Sequence, residues 1–141
     1  MSAIETHLDV QGVSFSYGPQ RFRLDGVSLQ ARGGELVGLL GPNGSGKSSL
    51  IKLITRLLRP QAGGVMLDGR DAGQFSAQEF ARRVAYVPQE TQAAFAFTAL
   101  EAVLMGRSPY LGVMGFESAA DHTKAIEALR RVDAARFANV L

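Results

Sequence analysis

The sequence predicts an α/β fold in which antiparallel strands come first, a strand, a glycine-rich loop and a helix follow, and the remainder is helical. Apolar residues alternate near period two between Leu8 and Tyr17, as in a half-buried strand. The apolar run 36–40 leads directly into the glycine-rich segment 41–48 and then into apolar residues at helical spacing. From Thr98 onward the patterns are those of helices and loops. These observations define the predicted class.

The predicted strands follow from alternation and from the turns that end them. The first covers about residues 8–17 and ends at a Gly-Pro turn, and the second covers 22–29. The run 35–40 does not alternate, which suits a parallel strand covered on both faces. Two short strands are predicted further on, at 65–67 before an Asp-Gly turn and at 84–87 before a proline.

The predicted helices begin at recognisable caps. A helix at about 47–58 follows the glycine-rich loop and is stopped by Pro60. A hydroxyl residue with an acidic residue three positions later is a capping box, in which each side chain binds the other residue's backbone N–H. This spacing occurs at Ser76 with Glu79, Thr98 with Glu101, and Ser118 with Asp121. Each pair predicts the start of a helix.

Composition sets broad limits on the fold and the partners. The 141 residues with 46% hydrophobic content suffice for one core, so we expect one domain or part of one. The formal charge is only +2 and the basic residues are scattered, so no nucleic-acid partner is expected. The absence of cysteine excludes disulfides. We see no signal peptide, and the apolar stretch 93–106 is too short to span a bilayer, so we expect a soluble chain.

Segment 41–48 reads GPNGSGKS and completes the pattern G-x-x-x-x-G-K-S of a phosphate loop. Its glycines allow the backbone N–H groups to turn towards a triphosphate. Lys47 is expected at the β- and γ-phosphates and Ser48 at Mg²⁺, while the helix N-terminus adds its positive dipole end. The plain alternative is a glycine-rich turn between a strand and a helix, which the Lys-Ser pair and the flanking elements disfavour.

A series of features carries a resemblance to a known family. In chain order they are VSFSYG at 13–18, Gly34-Glu35, the phosphate loop, Pro60 with Gly63, Asp68-Gly69, and Val87-Pro88-Gln89. Their order and spacing resemble the first half of an ABC transporter ATP-binding subunit. Segment 103–110, VLMGRSPY, is similar to the one found in importers of iron chelates, haem and cobalamin. The resemblance implies a P-loop NTPase fold of ABC type.

The resemblance extends from about Leu8 to the end of the chain. It implies that residues 1–141 are the N-terminal part of one ATP-binding domain. On this interpretation, residues 1–90 belong to the α/β core and residues 91–141 begin the helical subdomain.

The resemblance also implies roles for individual residues, with ATP and Mg²⁺ as ligands. Tyr17 matches the aromatic residue that stacks on adenine, although it could also be a core aromatic at a strand end. Gln89 matches a glutamine that coordinates Mg²⁺, positions water and senses the membrane partner, although alone it would be an ordinary loop residue. Catalytic roles then fall to Lys47 and Gln89, and metal binding to Ser48 and Gln89. The expected nucleotide contacts are Tyr17, Gly41, Pro42, Asn43, Gly44, Ser45, Gly46, Lys47, Ser48 and Ser49.

Family members hydrolyse ATP with further motifs: a Leu-Ser-Gly-Gly-Gln-like signature, an apolar strand ending in Asp-Glu, and a switch histidine. None of them is found in this sequence. Residues 65–68 superficially resemble the apolar strand, but Gly69 replaces the glutamate and the position suits a hairpin. His7 and His122 do not lie where the switch is expected. We therefore expect a truncated chain that ends about where the signature begins.

Such a chain is expected to have limited stability and activity on its own. The phosphate-loop strand would lie in a parallel sheet whose neighbouring strands follow the signature. Residues 1–141 alone would then expose an apolar strand edge and be marginal or aggregation-prone. We expect this portion at most to bind nucleotide, and the full-length protein to hydrolyse ATP.

The resemblance implies two kinds of partner. A second ATP-binding subunit would form a head-to-tail dimer with two ATP molecules between the subunits. Membrane permease subunits would contact the segment after Gln89, and the protein would lie on the cytoplasmic face of the cell membrane. The apolar residues of that segment are Phe95, Phe97, Leu100, Val103 and Leu104, which could also form an ordinary helix core.

Other interpretations remain open. The protein could be a soluble ABC-type ATPase of translation or repair, which the importer-like segment 106–110 disfavours. It could also be a short non-catalytic chain that binds nucleotide or regulates a full subunit. A different P-loop enzyme, such as a small-molecule kinase or a GTPase, would leave the early aromatic strand and the Val-Pro-Gln segment without roles.

Overall fold

The computed structural model describes residues 7–19, 22–89, 96–112 and 115–140. The chain forms two compact units, Met1–Phe80 and Ala81–Leu141. The first unit contains an antiparallel sheet and the helix that follows the glycine-rich loop, and the second is helical. The predicted division near residue 90 into a core portion and a helical subdomain stays a prediction.

The sheet of the first unit has four strands in the order β2-β1-β3-β4, and each neighbouring pair is antiparallel. The strands are β1 His7–Ser16, β2 Arg23–Arg32, β3 Ala62–Leu67 and β4 Arg70–Asp71. Val10 of β1 lies opposite Leu29 of β2 and Val65 of β3. The strand predicted at 8–17 is therefore the second strand of the sheet, with a partner on each side.

The predicted Asp-Gly turn joins β3 to β4. Asp68 and Gly69 both have positive φ angles, 54° and 75°, as a two-residue hairpin turn requires. The Asp68 carboxylate accepts a hydrogen bond of 2.9 Å from the backbone N–H of His7. Asp68 thus fastens the hairpin to the start of β1, which agrees with the hairpin predicted at this position.

The helices are α1 Lys47–Ile54, α2 Ala77–Ala81, α3 Ala99–Met105 and α4 Ala119–Arg131. Both halves of the capping box are present at α3 and at α4, as predicted. At α2, the Ser76 hydroxyl accepts from the Glu79 N–H at 3.1 Å and the Glu79 carboxylate accepts from the Ser76 N–H at 2.8 Å. The predicted starts of these three helices are confirmed.

Helix α1 ends four residues before the predicted end at residue 58. Arg56 has a left-handed φ of 61°, a conformation that no α-helix continues. Its guanidinium donates to the carbonyl of Phe75 at 3.0 Å and lies 4.8 Å from the centre of the Phe80 ring. These contacts, distant in sequence, hold Arg56 outside the helix.

Two predicted strands, 35–40 and 84–87, do not form. Leu36 and Leu40 are 101% and 96% exposed, and Val87 is 89% exposed. A strand exists only through hydrogen bonds to a neighbour, and neither segment pairs with a strand in the described part of the chain. The prediction of strands at 35–40 and 84–87 was therefore wrong.

The core of the first unit lies where the sheet and α1 contribute apolar side chains. Val10 and Val13 of β1 are fully buried, and Leu53 of α1 is 1% exposed. Among the described residues of the second unit, Leu104, Ala125, Leu129 and Ala138 are the buried apolar ones. Within the described residues, none of the helices has the length and apolar character needed to cross a membrane.

An ion pair in the second unit joins the residue that follows α3's C-cap to the start of α4. Arg107 Nε donates to Asp121 Oδ1 at 3.0 Å, and both side chains are largely buried. The Arg107 guanidinium also lies 4.1 Å from the centre of the Tyr110 ring. Hydrogen bonds from Ser118, then that from Arg107, lower the pKa of Asp121 from 3.8 to about 2.

The Asp121 carboxylate should make stability depend on pH in acid. Because its pKa is lower in the folded than in the unfolded chain, its stabilisation is complete above about pH 4 and is lost as the pH falls through about 2. We expect the melting temperature of Asp121→Asn to lie below that of the natural protein at pH 7, with the gap closing near pH 2. The exposed Asp25→Asn serves as the control, and a gap that persists at pH 2 would contradict the assignment.

Candidate nucleotide-binding site

The glycine-rich loop ends at the first turn of α1, which has no side-chain cap. Gly46 is the N-cap residue and has a φ of 94°. The first N–H groups of a helix have no intrahelical partner and carry its positive dipole end. An uncapped helix start that follows a glycine-rich loop therefore offers these donors to an anion.

Gly46 is required for space as well as for conformation. A Cβ atom at this position would overlap the Phe22 ring and lie 2.8 Å from Leu24 Cδ2. Both neighbours stand at the start of β2, so the loop packs closely against the sheet. A larger residue would require these side chains to shift, besides adopting a strained φ.

Lys47 places its ammonium over the loop. Nζ donates to the carbonyl oxygens of Gly41 and Pro42, each at 2.7 Å, and lies 3.5 Å from Ser45 Oγ. An ammonium has three donors and no acceptor, so it satisfies itself with the nearest oxygens. The same donors can turn to phosphate oxygens, which are stronger acceptors because they are charged.

The hydroxyls of Ser48 and Ser49 have different surroundings. Ser48 is exposed in the first turn of α1, whereas Ser49 is 8% exposed. Tyr17, just after β1, places its hydroxyl oxygen 3.2 Å from Ser49 Oγ. Its ring stands edge-on to Phe15 at 4.8 Å between centres and is 47% exposed. Tyr17, which is expected to stack on adenine, and the serines expected at the phosphates therefore lie in the same unit.

The remaining predicted residues belong to the second unit. Gln89 is exposed and lies in a bend after segment 84–88, which has no regular secondary structure. In the predicted partner segment, Leu104 is 4% exposed and belongs to the core, whereas Phe97 is 39% exposed. Phe95 lies outside the described residues.

The donor chemistry fits Mg²⁺ bound together with a nucleotide. The described residues contain no group of three or more His, Cys, Asp or Glu side chains that could hold a metal by itself. Mg²⁺ at phosphate sites takes few protein oxygens and completes its octahedron with phosphates and water. The Ser48 hydroxyl and the Gln89 amide oxygen are each oxygen ligands of this hard type. His122 lies in the first turn of α4, and its Nε2 is 3.3 Å from the carboxylate of Glu117, which precedes the helix. His7 is the first residue of β1.

Two features of the site carried no sequence signal. The contact between Tyr17 and Ser49 joins residues 32 positions apart. The carbonyls that hold Lys47 follow from the loop's conformation, and no residue type encodes them. The loop pattern and the candidate residues Tyr17 and Gln89 were predicted from the sequence, whereas these two contacts were not.

The fold and the loop define a P-loop protein of the α/β class. A model of the ABC transporter family matches residues 24–140. The chain therefore belongs to the ABC transporter family, as its motifs predicted.

The chain is similar to ATP-binding proteins of importers. It is 46% identical over 103 residues to the hemin import ATP-binding protein HmuV of Pseudomonas entomophila, covering 73% of this chain and 40% of that protein. It is 38% identical over 131 residues to the cobalamin import ATP-binding protein BtuD of Halobacterium salinarum, covering 93% of this chain and 32% of that protein. The chain thus spans less than half the length of these relatives.

A solved structure shares the fold. The crystal structure of a nucleotide-free ATP-binding cassette from an ABC transporter matches with a TM-score of 0.80 and 25% identity. The match covers 96% of this chain and 57% of that one. The predicted fold class is confirmed, including the antiparallel strands before the phosphate loop and the helices at the end.

Proposed function

We propose that the complete protein is the ATP-binding subunit of an ABC importer for a substrate of the iron-chelate, haem or cobalamin type. The observation that carries this proposal is the loop at the uncapped start of α1, with the Lys47 ammonium held over it. The names of the similar proteins support an import role, and the similarity of segment 103–110 supports this class of substrate.

In this proposal the first unit binds the nucleotide. The loop N–H groups and the Lys47 ammonium hold the β- and γ-phosphates, and the Tyr17 ring stacks on adenine. When bound, Mg²⁺ neutralises phosphate charge, and the Ser48 hydroxyl and the Gln89 amide oxygen are the residues that would hold it. Gln89 also orients a water molecule towards the γ-phosphorus.

Hydrolysis transfers the γ-phosphoryl group to water. The bond from the water oxygen to the γ-phosphorus forms as the bond from that phosphorus to the bridging β-phosphate oxygen breaks, and the proton lost by the water passes to solvent, which leaves ADP and inorganic phosphate. Lys47 stabilises the charge that develops on the leaving phosphate oxygens. Residues 1–141 supply the cradle for ATP, and we propose that a second ATP-binding subunit, arranged head to tail, completes the site.

The proposed partners are membrane permease subunits, which would place the protein on the cytoplasmic face of the membrane. The test is to tag the complete protein in its own cells, extract the membranes with a mild detergent and identify what co-purifies. We expect a polytopic membrane protein, with ATP turnover by the complex. Recovery of an active ATPase only with ribosomes or repair proteins would instead support a soluble ABC ATPase. A chain of unchanged 15.1 kDa mass without turnover would support a regulatory role.

A further inference from the structure

A cleft opens at the end of α1 that is opposite the glycine-rich loop. It lies within the first unit, between the chain that leaves α1 and the hairpin of β3 and β4, and its volume is about 420 Å³. Pockets that hold small molecules in proteins have volumes of about 300–1,000 Å³. The buried Leu53 and Val65 line the cleft together with Leu58, so part of its wall is apolar. The cleft therefore has the size and the apolar surface that a small organic ligand requires.

Two arginines that follow α1 also line the cleft. The Arg59 side chain makes no hydrogen bond or ion pair with any residue that the structure describes. The Arg56 guanidinium donates to the Phe75 carbonyl at 3.0 Å, which uses one of the five N–H donors of an arginine. Arg56 also has a left-handed φ of 61°, and strained backbone of this kind is frequent at ligand sites. The two guanidiniums therefore offer a carboxylate donors that the described chain does not use.

One anionic side chain lines the same cleft. Asp71 Oδ1 accepts from the Gly73 N–H at 2.7 Å, whereas Oδ2 has no partner among the described residues. Every buried side-chain N or O atom in that part of the chain has a partner, so Oδ2 is reached by solvent. A Cβ atom on Gly64 would lie 3.5 Å from Oδ2, in ordinary contact and at no positive φ. Gly64 therefore leaves this oxygen uncovered, although the fold does not require a glycine there.

We propose that this cleft binds a free α-amino acid with an apolar side chain. The ligand's carboxylate accepts hydrogen bonds from Arg59 and Arg56, its ammonium donates to Asp71 Oδ2, and its side chain lies on the apolar wall. A phosphate or a simple carboxylic acid would leave Asp71 unpaired and be repelled by it, and a simple amine would leave both arginines unpaired. A ligand with both charges satisfies all three groups.

The test uses three matched probes with the same apolar side chain. Leucine carries both charges, isocaproate carries only the carboxylate, and isoamylamine carries only the ammonium. Isothermal titration calorimetry of the complete protein measures the dissociation constant of each. We expect leucine to bind at millimolar concentrations or below. Each probe with one charge should bind at least about ten-fold more weakly, because a hydrogen bond to a charged group changes affinity by about this factor or more.

Substitutions separate the two charges of the ligand. Asp71→Asn keeps an acceptor for Gly73 and removes the charge, so it should weaken leucine binding about ten-fold and not weaken isocaproate binding. Arg59→Gln should weaken the binding of both probes about ten-fold. Gly64→Ala, which covers Asp71 Oδ2, should weaken leucine binding and keep the melting temperature of the natural protein. Arg32→Gln removes an arginine of β2 outside the cleft and is the matched control, which should change neither probe.

Three results would overturn the proposal. The first is no binding of leucine at millimolar concentrations. The second is isocaproate that binds as tightly as leucine, which would identify a plain anion site. The third is an equal loss in Arg32→Gln and Arg59→Gln, which would identify nonspecific attraction. If Asp71→Asn fails to fold, Gly64→Ala decides by the same comparison of leucine with isocaproate.

The cleft and the nucleotide site lie at opposite ends of α1, so the two proposals are tested separately. Binding of Mg-ATP is titrated in the same samples. Absence of leucine binding with intact ATP binding removes only this inference, and absence of ATP binding with intact leucine binding removes only the proposed function.

Discussion

Replacing Lys47 with alanine is expected to abolish binding of Mg-ATP at concentrations that saturate the natural protein. The side chain supplies the positive charge of the loop, and Nζ already lies 2.7 Å from the carbonyls that line it. Hydrogen bonds to a charged group contribute about 1.5–3 kcal/mol each, so losing the ammonium should weaken binding by about 100-fold or more. Calorimetric titration of the complete protein measures this directly.

Lys52→Ala is the matched control, because Lys52 lies in the last turn of the same helix. It removes the same charge but at the far end of α1 from the loop, and we expect affinity for ATP near that of the natural protein. Turnover that continues unchanged in Lys47→Ala would remove the central claim about the site. Equal losses in both variants would point to general electrostatics instead of a specific contact.

Leu53→Ala should cause the largest loss of stability among single changes in α1. Leu53 is 1% exposed and ranks with Val10 and Val13 among the most completely buried side chains. Truncating such a leucine loses transfer free energy and leaves a cavity, together about 3 kcal/mol of unfolding free energy. Urea denaturation of the complete protein, followed by fluorescence or circular dichroism, provides the measurement.

Leu57→Ala makes the same chemical change at a side chain that is 58% exposed. We expect it to alter the unfolding free energy by less than about 0.5 kcal/mol, as most surface changes do. Similar losses for the two variants would show that the core does not centre on Leu53. The comparison also tests whether Leu53 anchors α1, the helix that follows the nucleotide loop, in the core beside the sheet.

Features that depend on neighbouring residues in the sequence were predictable. The capping boxes at Thr98 and Ser118, the Asp-Gly turn and the phosphate loop all depend on residues within a few positions. Such local chemistry determines the same conformation in almost any setting. The starts of helices and the position of the loop were therefore foreseen, and so was the family.

Features that depend on distant residues were not predictable. The strand predicted at 35–40 lacks a pairing partner among the described residues. The pattern of apolar residues along a segment does not show which strand, if any, it pairs with. Helix α1 ends early because Arg56 binds a carbonyl 19 positions away. The pairing of Arg107 with Asp121 and the contact of Tyr17 with Ser49 likewise follow from tertiary packing alone.

The place of β1 in the sheet has a consequence for folding during synthesis. β1 leaves the ribosome before β2 and β3, and it pairs with β2 on one side and with β3 on the other. Its last partner, the hairpin turn at Asp68, is 61 positions later. Until that turn emerges, the hairpin of β1 and β2 presents an unpaired edge to other nascent chains. The capped helices of the second unit do not wait for a distant partner in this way, because the two residues of each capping box are three positions apart in the sequence. The edge of β1 that pairs with β3 therefore stays unpaired from the synthesis of the second strand to that of the third.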